Sequence, residues 1–364
     1  MSGHNEKKRL GTSDETTFDP KITNTPDLPA IDYSSVGQAA PVLLTTPSGN
    51  LPQAEVVVIT WAEAEWAAMQ HVFCNGGSTM SYSARDESSW SGWQKYSQDM
   101  PSNPPSGWTN WGYYRLVQIQ GQPVLLFKSN THLDWPGETY LEDLIEKIIE
   151  SVKPKLLLSI GTAGGAKTGD HIGTVRAVSA GTLDSGSGTW PTYSNSWSAV
   201  WKVLQQSGFK KLLFPVPTTQ SDLQSLCKQL NEYYSYKPPY TLSQLNPHDL
   251  NMGSSSPAID NTTGGSASLL TTSTFVVGTT AGTYDKYAVI EMDDAVIGNV
   301  CKGKNVPFGF IRNVSDPVQN AALPSGVQGN WGSAIYDSYG LYTSYNGALA
   351  AWAIIAGQLA GSSK

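Results

Sequence analysis

Lys155-Leu-Leu-Leu-Ser-Ile160, which runs straight into Gly161-Thr-Ala-Gly-Gly165, is the stretch that decides the fold of this chain. A short, uninterrupted apolar run bounded by turn residues is typical of a strand buried on both faces of a parallel sheet. The small residues that follow predict a glycine-rich loop at 161–165, where a ligand can approach the backbone closely. An amphipathic helix is predicted just before the strand, over 139–151, because apolar and charged residues segregate there at helical spacing.

The same alternation of strand and helix continues on both sides of this stretch. A β-branched run at 55–60 predicts a second buried strand, and a helix follows it from 62 to about 72. Further strands are predicted at 114–119, 123–128, 273–277, 287–291 and 307–314, and further helices at 196–207, 221–233, 293–302 and within 333–359. Strands that alternate with helices predict an α/β fold, a three-layer αβα arrangement around a central mixed, mostly parallel twisted sheet.

Local composition divides the 364 residues into two unequal parts. Residues 1–50 predict a polar leader, because prolines punctuate this segment and no hydrophobic period is sustained. Residues 51–364 predict one catalytic domain with irregular insertions near 75–110 and 180–265. With 39% hydrophobic residues and 12 tryptophans, the chain can bury a substantial core.

Charge and cysteine usage argue against several classes of function. The formal net charge of −7 disfavours nucleic acid as a partner, since phosphate backbones require clustered Lys and Arg. Three widely spaced cysteines and five scattered histidines indicate neither a disulfide framework nor a metal site. The charged start lacks the pattern of a secretory signal, and the longest apolar stretch, 348–360, is too short to cross a bilayer. We therefore expect a cytoplasmic protein with no membrane partner.

Three carboxylates fall at or near the carboxyl ends of predicted strands, where ligands bind in α/β sheets. Glu65 lies just past the second buried strand, and Asp293 and Asp316 follow the last two predicted strands. Each residue alone has a structural explanation, since either aspartate could be a helix N-cap and Glu65 a surface residue of a helix. The three carboxylates together with the glycine-rich loop predict an active site.

Four segments of the chain carry motifs of one known family. They are Val57-Val-Ile-Thr-Trp-Ala-Glu-Ala-Glu65, Ile160-Gly-Thr-Ala-Gly-Gly165, Glu291-Met-Asp293 and Val306-Pro-Phe-Gly-Phe-Ile-Arg-Asn-Val-Ser-Asp316. In this order they resemble the first strand, the Gly-Ser/Thr-Ala-Gly-Gly loop, the Glu-Met-Glu segment and the Val-Pro-Phe…Arg-x-x-Ser-Asp strand of the purine nucleoside phosphorylase/nucleosidase superfamily, in particular its 5′-methylthioadenosine/S-adenosylhomocysteine nucleosidases. The resemblance implies a nucleoside phosphorylase-like fold, a small purine nucleoside or nucleotide as substrate, and a homo-oligomer.

The resemblance also implies roles for individual residues. Asp316 matches the general acid that protonates the purine at N7, and Glu65 matches the carboxylate that orients and deprotonates the attacking water. Asp293 stands where the family has a Glu that binds the ribose hydroxyls, and Met292 matches a residue packed against the ribose. Further substrate contacts are implied for Glu291, Thr162, Ala163, Gly164, Ser315, Phe275 and Val276, with Phe275 near the base-stacking aromatic. Arg312 is expected to anchor the structure beneath the site.

The chemistry of N-glycosidic cleavage agrees with these roles. The reaction passes through a ribosyl cation, so one acid at the base and carboxylates at the water and sugar suffice without a metal or cofactor. Phosphorolysis is an alternative that requires cations near the glycine-rich loop. Candidate phosphate contacts are Lys128 and His132, with Lys167 and Arg176 added for a nucleotide substrate. Glu65 favours hydrolysis.

Two further questions are left open by the sequence. The long insertions, and the aspartate in place of the family's second Glu, permit a catalytically inactive nucleoside-binding module as a third interpretation. No motif selects the 5′ substituent of the substrate, and Asp316 at the base favours a 6-aminopurine only weakly.

Overall fold

The computed structural model describes residues 18–85, 91–167, 170–184, 186, 188–246, 257–274, 284–317 and 323–360. Within these residues the strands form one 13-stranded sheet. The strands are β1 Val42–Leu43, β2 Val56–Thr60, β3 Gln94–Tyr96, β4 Gly112–Ile119, β5 Gln122–Ser129, β6 Leu156–Gly165, β7 Val175–Val178, β8 Ala180–Asp184, β9 Thr192–Ser194, β10 Ile259–Asn261, β11 Leu269–Thr272, β12 Ile290–Glu291 and β13 Phe308–Pro317.

Seven α-helices are present in the same part of the chain. They are α1 Glu63–Cys74, α2 Glu138–Val152, α3 Phe209–Leu212, α4 Gln220–Tyr234, α5 Leu242–Leu245, α6 Asp294–Gly303 and α7 Ser325–Ala360, with 3-10 turns at Tyr33–Val36 and Tyr82–Arg85. They pack in two main groups against the sheet, α1 with α7 and α2 with α6. The predicted α/β fold with helical layers around a mixed sheet is confirmed.

The centre of the sheet is parallel, and this arrangement positions the site. β2 pairs in parallel with β5 and with β6, and β6 pairs in parallel with β13. Every residue of β2 is buried, as expected for a strand covered on both faces. Because these four strands run in one direction, their carboxyl ends lie at one edge. Antiparallel strands flank them, β4 beside β5 and β7 beside β13.

The final helix, α7, forms much of the core on one side of the sheet. Its long run of small and apolar residues is buried almost all round, because it lies between α1 and the strands β6 and β13. This burial explains the apolar stretch at 348–360 that the sequence predicts to be a core helix. Searched over the described residues, no helix combines the length and apolar character needed to span a bilayer.

Several predicted elements differ from the structure. The predicted loop at 161–165 is wrong, because β6 continues to Gly165 alongside β13, which pairs with it to the same point. The predicted helix at 196–207 is also wrong. That segment forms turns, since Trp197 bonds to Gln358 and the Ala199 N–H donates to Thr263, both outside the segment. The strand expected at 273–277 is not observed at 273 and 274, where the chain bends after β11 has ended at Thr272, and residues 275–277 lie outside the described residues.

The described part of the predicted leader, residues 18–50, packs on the domain. Leu28 is fully buried and exchanges two backbone hydrogen bonds with Met80. Tyr33 donates a hydrogen bond of 2.5 Å to the carbonyl of Val72 and packs edge-on against Trp352. These contacts come from single apolar residues at irregular spacing, so no hydrophobic period marks them in the sequence.

Candidate active site

Glu65, Thr162 and Asp316, which the sequence predicts to belong to one site, lie at the carboxyl edge of the parallel strands. Glu65 stands in the first turn of α1, directly after β2, and Thr162 lies in the last part of β6. Asp316 lies near the end of β13, paired with Gly164 of β6. Three chain segments that are far apart in sequence therefore meet because their strands are neighbours.

Glu65 is a buried carboxylate, 3% exposed, with five hydrogen-bond donors around it. Oε2 accepts bonds from the N–H groups of Trp61 and Ala62, at 3.0 and 2.9 Å, and from the Thr60 hydroxyl at 3.1 Å. Oε1 accepts two bonds of 2.7 Å from the N–H and the hydroxyl of Thr162. The side chain thus completes the N-terminal cap of α1 and ties it to the end of β6.

A close approach of backbone and side chains explains the glycine at the start of the small-residue segment. A Cβ atom at Gly161 would lie 2.5 Å from Nη1 of Arg312 and 2.8 Å from Oε1 of Glu65. Both distances are below van der Waals contact, so any larger residue would displace one of these groups. Gly161 is therefore required for Glu65 and Arg312 to be this close to the strand.

Arg312 lies beneath the edge in a buried network of acids. Its Nε donates to Asp294 Oδ2 at 2.7 Å and its Nη2 to Asp294 Oδ1, which makes a two-point pair. Nη2 also lies 3.2 Å from Glu291 Oε2 and donates to the Ser159 hydroxyl at 3.0 Å. Burial, together with the neighbouring Asp294 charge, raises the pKa of Glu291 to about 8. Arg312 holds β13, β12 and α6 together, which agrees with the anchoring role expected from the sequence.

Asp316 differs from Glu65 in having one unsatisfied oxygen. Its side chain is 4% exposed, and Oδ1 accepts a bond of 2.7 Å from the hydroxyl of Ser315. Oδ2 is buried and has no hydrogen-bond partner among the described residues. Burial raises the pKa of Asp316 to about 6, against the lowering effect of the Ser315 bond. This carboxyl group can therefore carry a proton near neutral pH and direct it from Oδ2.

A β-bulge sets the direction of Asp316. The parallel pairing of β13 with β6 shifts register between Val314 and Asp316, so that Ser315 is the extra residue. Such bulges re-aim side chains and occur often beside active sites. The Ser315 hydroxyl also lies 3.4 Å from the carbonyl of Ala163, which links the bulge to the small-residue segment of β6.

Asp293 and Met292 lie where β12 passes into α6. Asp293 is the N-cap residue of α6, and its Oδ1 accepts a bond of 2.9 Å from the N–H of Leu133. Its Oδ2 lies 3.5 Å from Nδ1 of His132. Met292 is half-buried beside it. His132, a candidate phosphate contact in the sequence, lies next to this carboxylate.

Two of the other candidate cations, Lys128 and Arg176, are also engaged by protein groups. Lys128 is the last residue but one of β5, and its ammonium donates to Asn130 Oδ1 at 2.6 Å and lies 5.9 Å from the ring centre of Trp66. Arg176 is paired with Asp170 at 2.5 Å and lies 3.5 Å from Asp260. Lys167 is exposed. Two further candidates, Phe275 and Val276, lie outside the described residues.

Two residues at this edge are absent from the sequence-based site. Trp61 supplies an N–H to Glu65, donates from its indole to Ser159 at 3.0 Å, and packs its ring against His132. Asp294 is the main partner of Arg312. Trp61 lies inside the motif at 57–65 and Asp294 directly follows the motif at 291–293, and these positions are the only sequence signal for them. Within the described residues, no group of three or more His, Cys, Asp and Glu side chains could hold a metal ion.

Comparison with known proteins gives matches among solved structures. No protein-family model matches the chain, and no curated protein matches it. The chain is similar to 5′-methylthioadenosine/S-adenosylhomocysteine nucleosidase from Neisseria meningitidis, with 12% identity, a TM-score of 0.44, and coverage of 83% of this chain and 99% of that chain. It is similar to futalosine hydrolase of Helicobacter pylori, with 10% identity, a TM-score of 0.44 and coverage of 83% and 97%. S-adenosylhomocysteine nucleosidase from Streptococcus pyogenes matches at 11% identity and a TM-score of 0.44, with coverage of 84% and 97%.

Proposed function

We propose that this protein is an N-glycosidase that hydrolyses the bond between a purine base and ribose in a nucleoside or nucleotide. The observation that carries the proposal is the state of Asp316. This carboxyl group is buried at the carboxyl edge of the parallel strands, has a pKa of about 6, and has an oxygen without a partner among the described residues. A purine base leaves readily only when it is protonated, so a general acid of this kind answers the main chemical need.

Glu65 is the group proposed to activate water. A carboxylate has about four lone-pair positions, and the five donors around Glu65 already fill them. A water molecule can therefore bind Oε1 only by replacing the Thr162 hydroxyl, which is free to rotate, whereas the backbone N–H donors stay in place. We propose this exchange as the step that brings the attacking water onto Glu65, with the Thr162 hydroxyl then contacting the water.

The charge balance around the edge suits a cationic transition state. Glu65, Asp293 and Asp316 are buried near it, while Arg312 lies beneath and is neutralised by Asp294. Positive charge that develops on the ribose is stabilised by nearby carboxylates in a site with little water. These carboxylates stabilise the cationic transition state more than the neutral substrate, and this difference accelerates the reaction.

Hydrolysis is favoured over phosphorolysis by the state of the candidate cations. Lys128 is bonded to Asn130, and Arg176 is paired with two aspartates. Binding phosphate would require these groups to leave their present partners, whereas hydrolysis requires only water and a carboxylate. Phosphorolysis remains an outcome of the test below.

The test measures free purine released from adenosine, methylthioadenosine, inosine, AMP and ATP, in phosphate-free buffer and again with phosphate added. We expect release without phosphate, with the preferred substrate defining the 5′ group. Glu65→Gln should abolish release, and Glu63→Gln, an exposed position two residues away on the same helix, is the matched control and should retain it. Release that depends on phosphate would replace the proposal with a phosphorylase. Binding of these compounds without release of base would replace it with a binding module.

A further inference from the structure

Both carboxylate oxygens of Asp293 face the segment between β5 and α2. Oδ1 accepts the hydrogen bond from the Leu133 N–H at 2.9 Å, and Oδ2 lies 3.5 Å from Nδ1 of His132. The backbone N–H of Asp293 is held in turn by Glu291 Oε2 at 2.7 Å. The carboxylate is 1% exposed, so its charge acts on this segment rather than on bulk solvent.

The backbone that carries His132 is fixed by its own hydrogen bonds. The His132 N–H donates to the carbonyl of Trp135 at 2.9 Å, and the Gly137 N–H donates to the carbonyl of His132 at 3.1 Å. Just before it, the Ser129 hydroxyl accepts from the Thr131 N–H at 3.0 Å and donates to the Thr131 carbonyl at 2.7 Å. A closed turn of this kind holds the imidazole in place before any ligand binds.

The imidazole of His132 lies between Asp293 and the residues that hold Glu65. Its ring centre is 5.4 Å from that of Trp61, with the planes inclined by 51°. The N–H of Trp61 donates to Glu65 Oε2 at 3.0 Å. His132 is 1% exposed, and its contact with Trp61 places it one residue away from the proposed catalytic Glu65 in this chain of contacts.

We infer that His132, oriented by Asp293, binds a ribose hydroxyl of the substrate. A carboxylate oxygen 3.5 Å from Nδ1 favours the tautomer with the proton on Nδ1, in which Nε2 has a lone pair that can accept a hydrogen bond. Nε2 accepts a hydrogen bond from a sugar hydroxyl, and the bond strengthens as positive charge on the ribose makes the hydroxyl more acidic. His132 is thus a sugar-binding residue and Asp293 the positioning residue behind it. The substrate class rests on the proposed N-glycosidase function.

The 3.5 Å between His132 and Asp293 is in the range of an ion pair and longer than a good hydrogen bond. Hydrogen bonds in unliganded active sites are often long and shorten when substrate binds. Accepting a hydrogen bond at Nε2 makes the Nδ1 proton a stronger donor, because bonds in a chain polarise one another. Substrate binding should therefore shorten this distance, and the two contacts should act as one unit.

The experiment compares adenosine with 2′-deoxyadenosine and 3′-deoxyadenosine, both as ligands in calorimetry and as substrates for base release. In the unmodified protein we expect loss of the contacted hydroxyl to weaken binding about tenfold, the size of one good hydrogen bond. His132→Phe keeps an aromatic ring against Trp61 but has no ring nitrogen, so it should bind adenosine and that deoxy analogue equally. His171→Phe, at an exposed histidine, is the matched control and should discriminate as the unmodified protein does.

The Asp293→Asn variant tests whether the charge of Asp293 orients the His132 imidazole, apart from any effect on folding. The amide oxygen can still accept from the Leu133 N–H, but the charge that orients the imidazole is gone. We expect discrimination between adenosine and the deoxy analogue to fall, and a double variant with His132→Phe to lose no more than His132→Phe alone. This variant also tests the inference if His132→Phe fails to fold, which its thermal unfolding curve will reveal.

The outcomes separate this inference from the proposed function. Three results would overturn the inference, whatever the base-release assay finds. They are unchanged discrimination in His132→Phe, equal binding of all three compounds by the unmodified protein, and no adenosine binding. Loss of discrimination in calorimetry, in a protein that releases no base, would support the sugar site and refute the N-glycosidase. Base release, together with unchanged discrimination in His132→Phe, would support the N-glycosidase and refute the sugar site.

Discussion

Replacing Asp316 by Asn changes the proposed general acid with the least disturbance of its surroundings. The amide oxygen can still accept the 2.7 Å bond from Ser315, and the amide N–H₂ takes the place of Oδ2. The variant can donate a hydrogen bond to a purine nitrogen, but it cannot transfer a proton. A general acid contributes about 10²–10⁴ to the rate, so we expect kcat to fall by that factor with little change in KM.

The pH dependence of turnover follows from the raised pKa. With a pKa of about 6, the acid is roughly nine-tenths protonated at pH 5 and about one-tenth protonated at pH 7. If the protonated form is the active one, kcat/KM for the unmodified protein should decline about tenfold per pH unit above this pKa. The residual activity of Asp316→Asn should not show this decline.

The same pKa predicts that the variant is more stable at neutral pH. The carboxyl group ionises at about 6 when folded and near its ordinary value of 3.8 when unfolded, so folding holds the proton more tightly. Below pH 3.8 Asp316 is protonated in both the folded and the unfolded state, so its titration does not change the free energy of unfolding. As pH rises from 3.8 to about 6 the free energy of unfolding falls, and above pH 6 the total loss is about 3 kcal/mol. Asparagine does not titrate, so Asp316→Asn should gain up to about this amount.

The assay combines base release from pH 5 to 8.5 with urea unfolding of both proteins at pH 4 and pH 8. The expected pattern is a variant that has lost turnover, and whose stability advantage over the unmodified protein is larger at pH 8 than at pH 4. Turnover that is unchanged at every pH would refute the role of Asp316 as acid. A variant that is inactive and also less stable at pH 8 would refute the reasoning from burial, and would indicate a structural role instead.

Three further predictions concern the groups around Glu65 and Arg312. Glu65→Gln places an amide N–H₂ against backbone donors, so we expect the free energy of unfolding in urea to fall by about 1–3 kcal/mol and base release to be lost. Unchanged stability would contradict the description of Glu65 as an acceptor for five donors. Gly161→Ala places a methyl group 2.5 Å from Arg312 and 2.8 Å from Glu65, so kcat should fall while thermal unfolding remains cooperative. An unchanged kcat would show that the strand can move to accommodate the methyl group without displacing Glu65. Arg312→Met removes the cation that is paired with Asp294 and leaves the buried acids uncompensated, so the free energy of unfolding should fall by about 3–5 kcal/mol. A loss under about 1 kcal/mol would refute the anchoring role.

Local pattern was sufficient where a segment has a clear apolar face or an uninterrupted apolar run. The helix predicted at 221–233 is observed as Gln220–Tyr234, and the strand predicted at 55–60 as Val56–Thr60. The helix predicted at 196–207 failed because hydrogen bonds to distant elements decide that segment, and helix propensity is too weak to oppose them. The loop predicted at 161–165 failed because pairing with β13 extends the strand through its glycines.

The sequence by itself determined the α/β class, the order of the central strands along the chain, and three carboxylates at or near strand ends, because burial and strand propensity act over a few neighbouring residues. Only the tertiary structure decided what each carboxylate contacts. Glu65 meets Thr162 across 97 residues, and Asp293 meets the N–H of Leu133 across 160. Such contacts depend on which strands lie side by side and on a register shift at Ser315, and no local pattern encodes them. Asp316 acquires its raised pKa for the same reason, since burial is a property of the assembled sheet and helices.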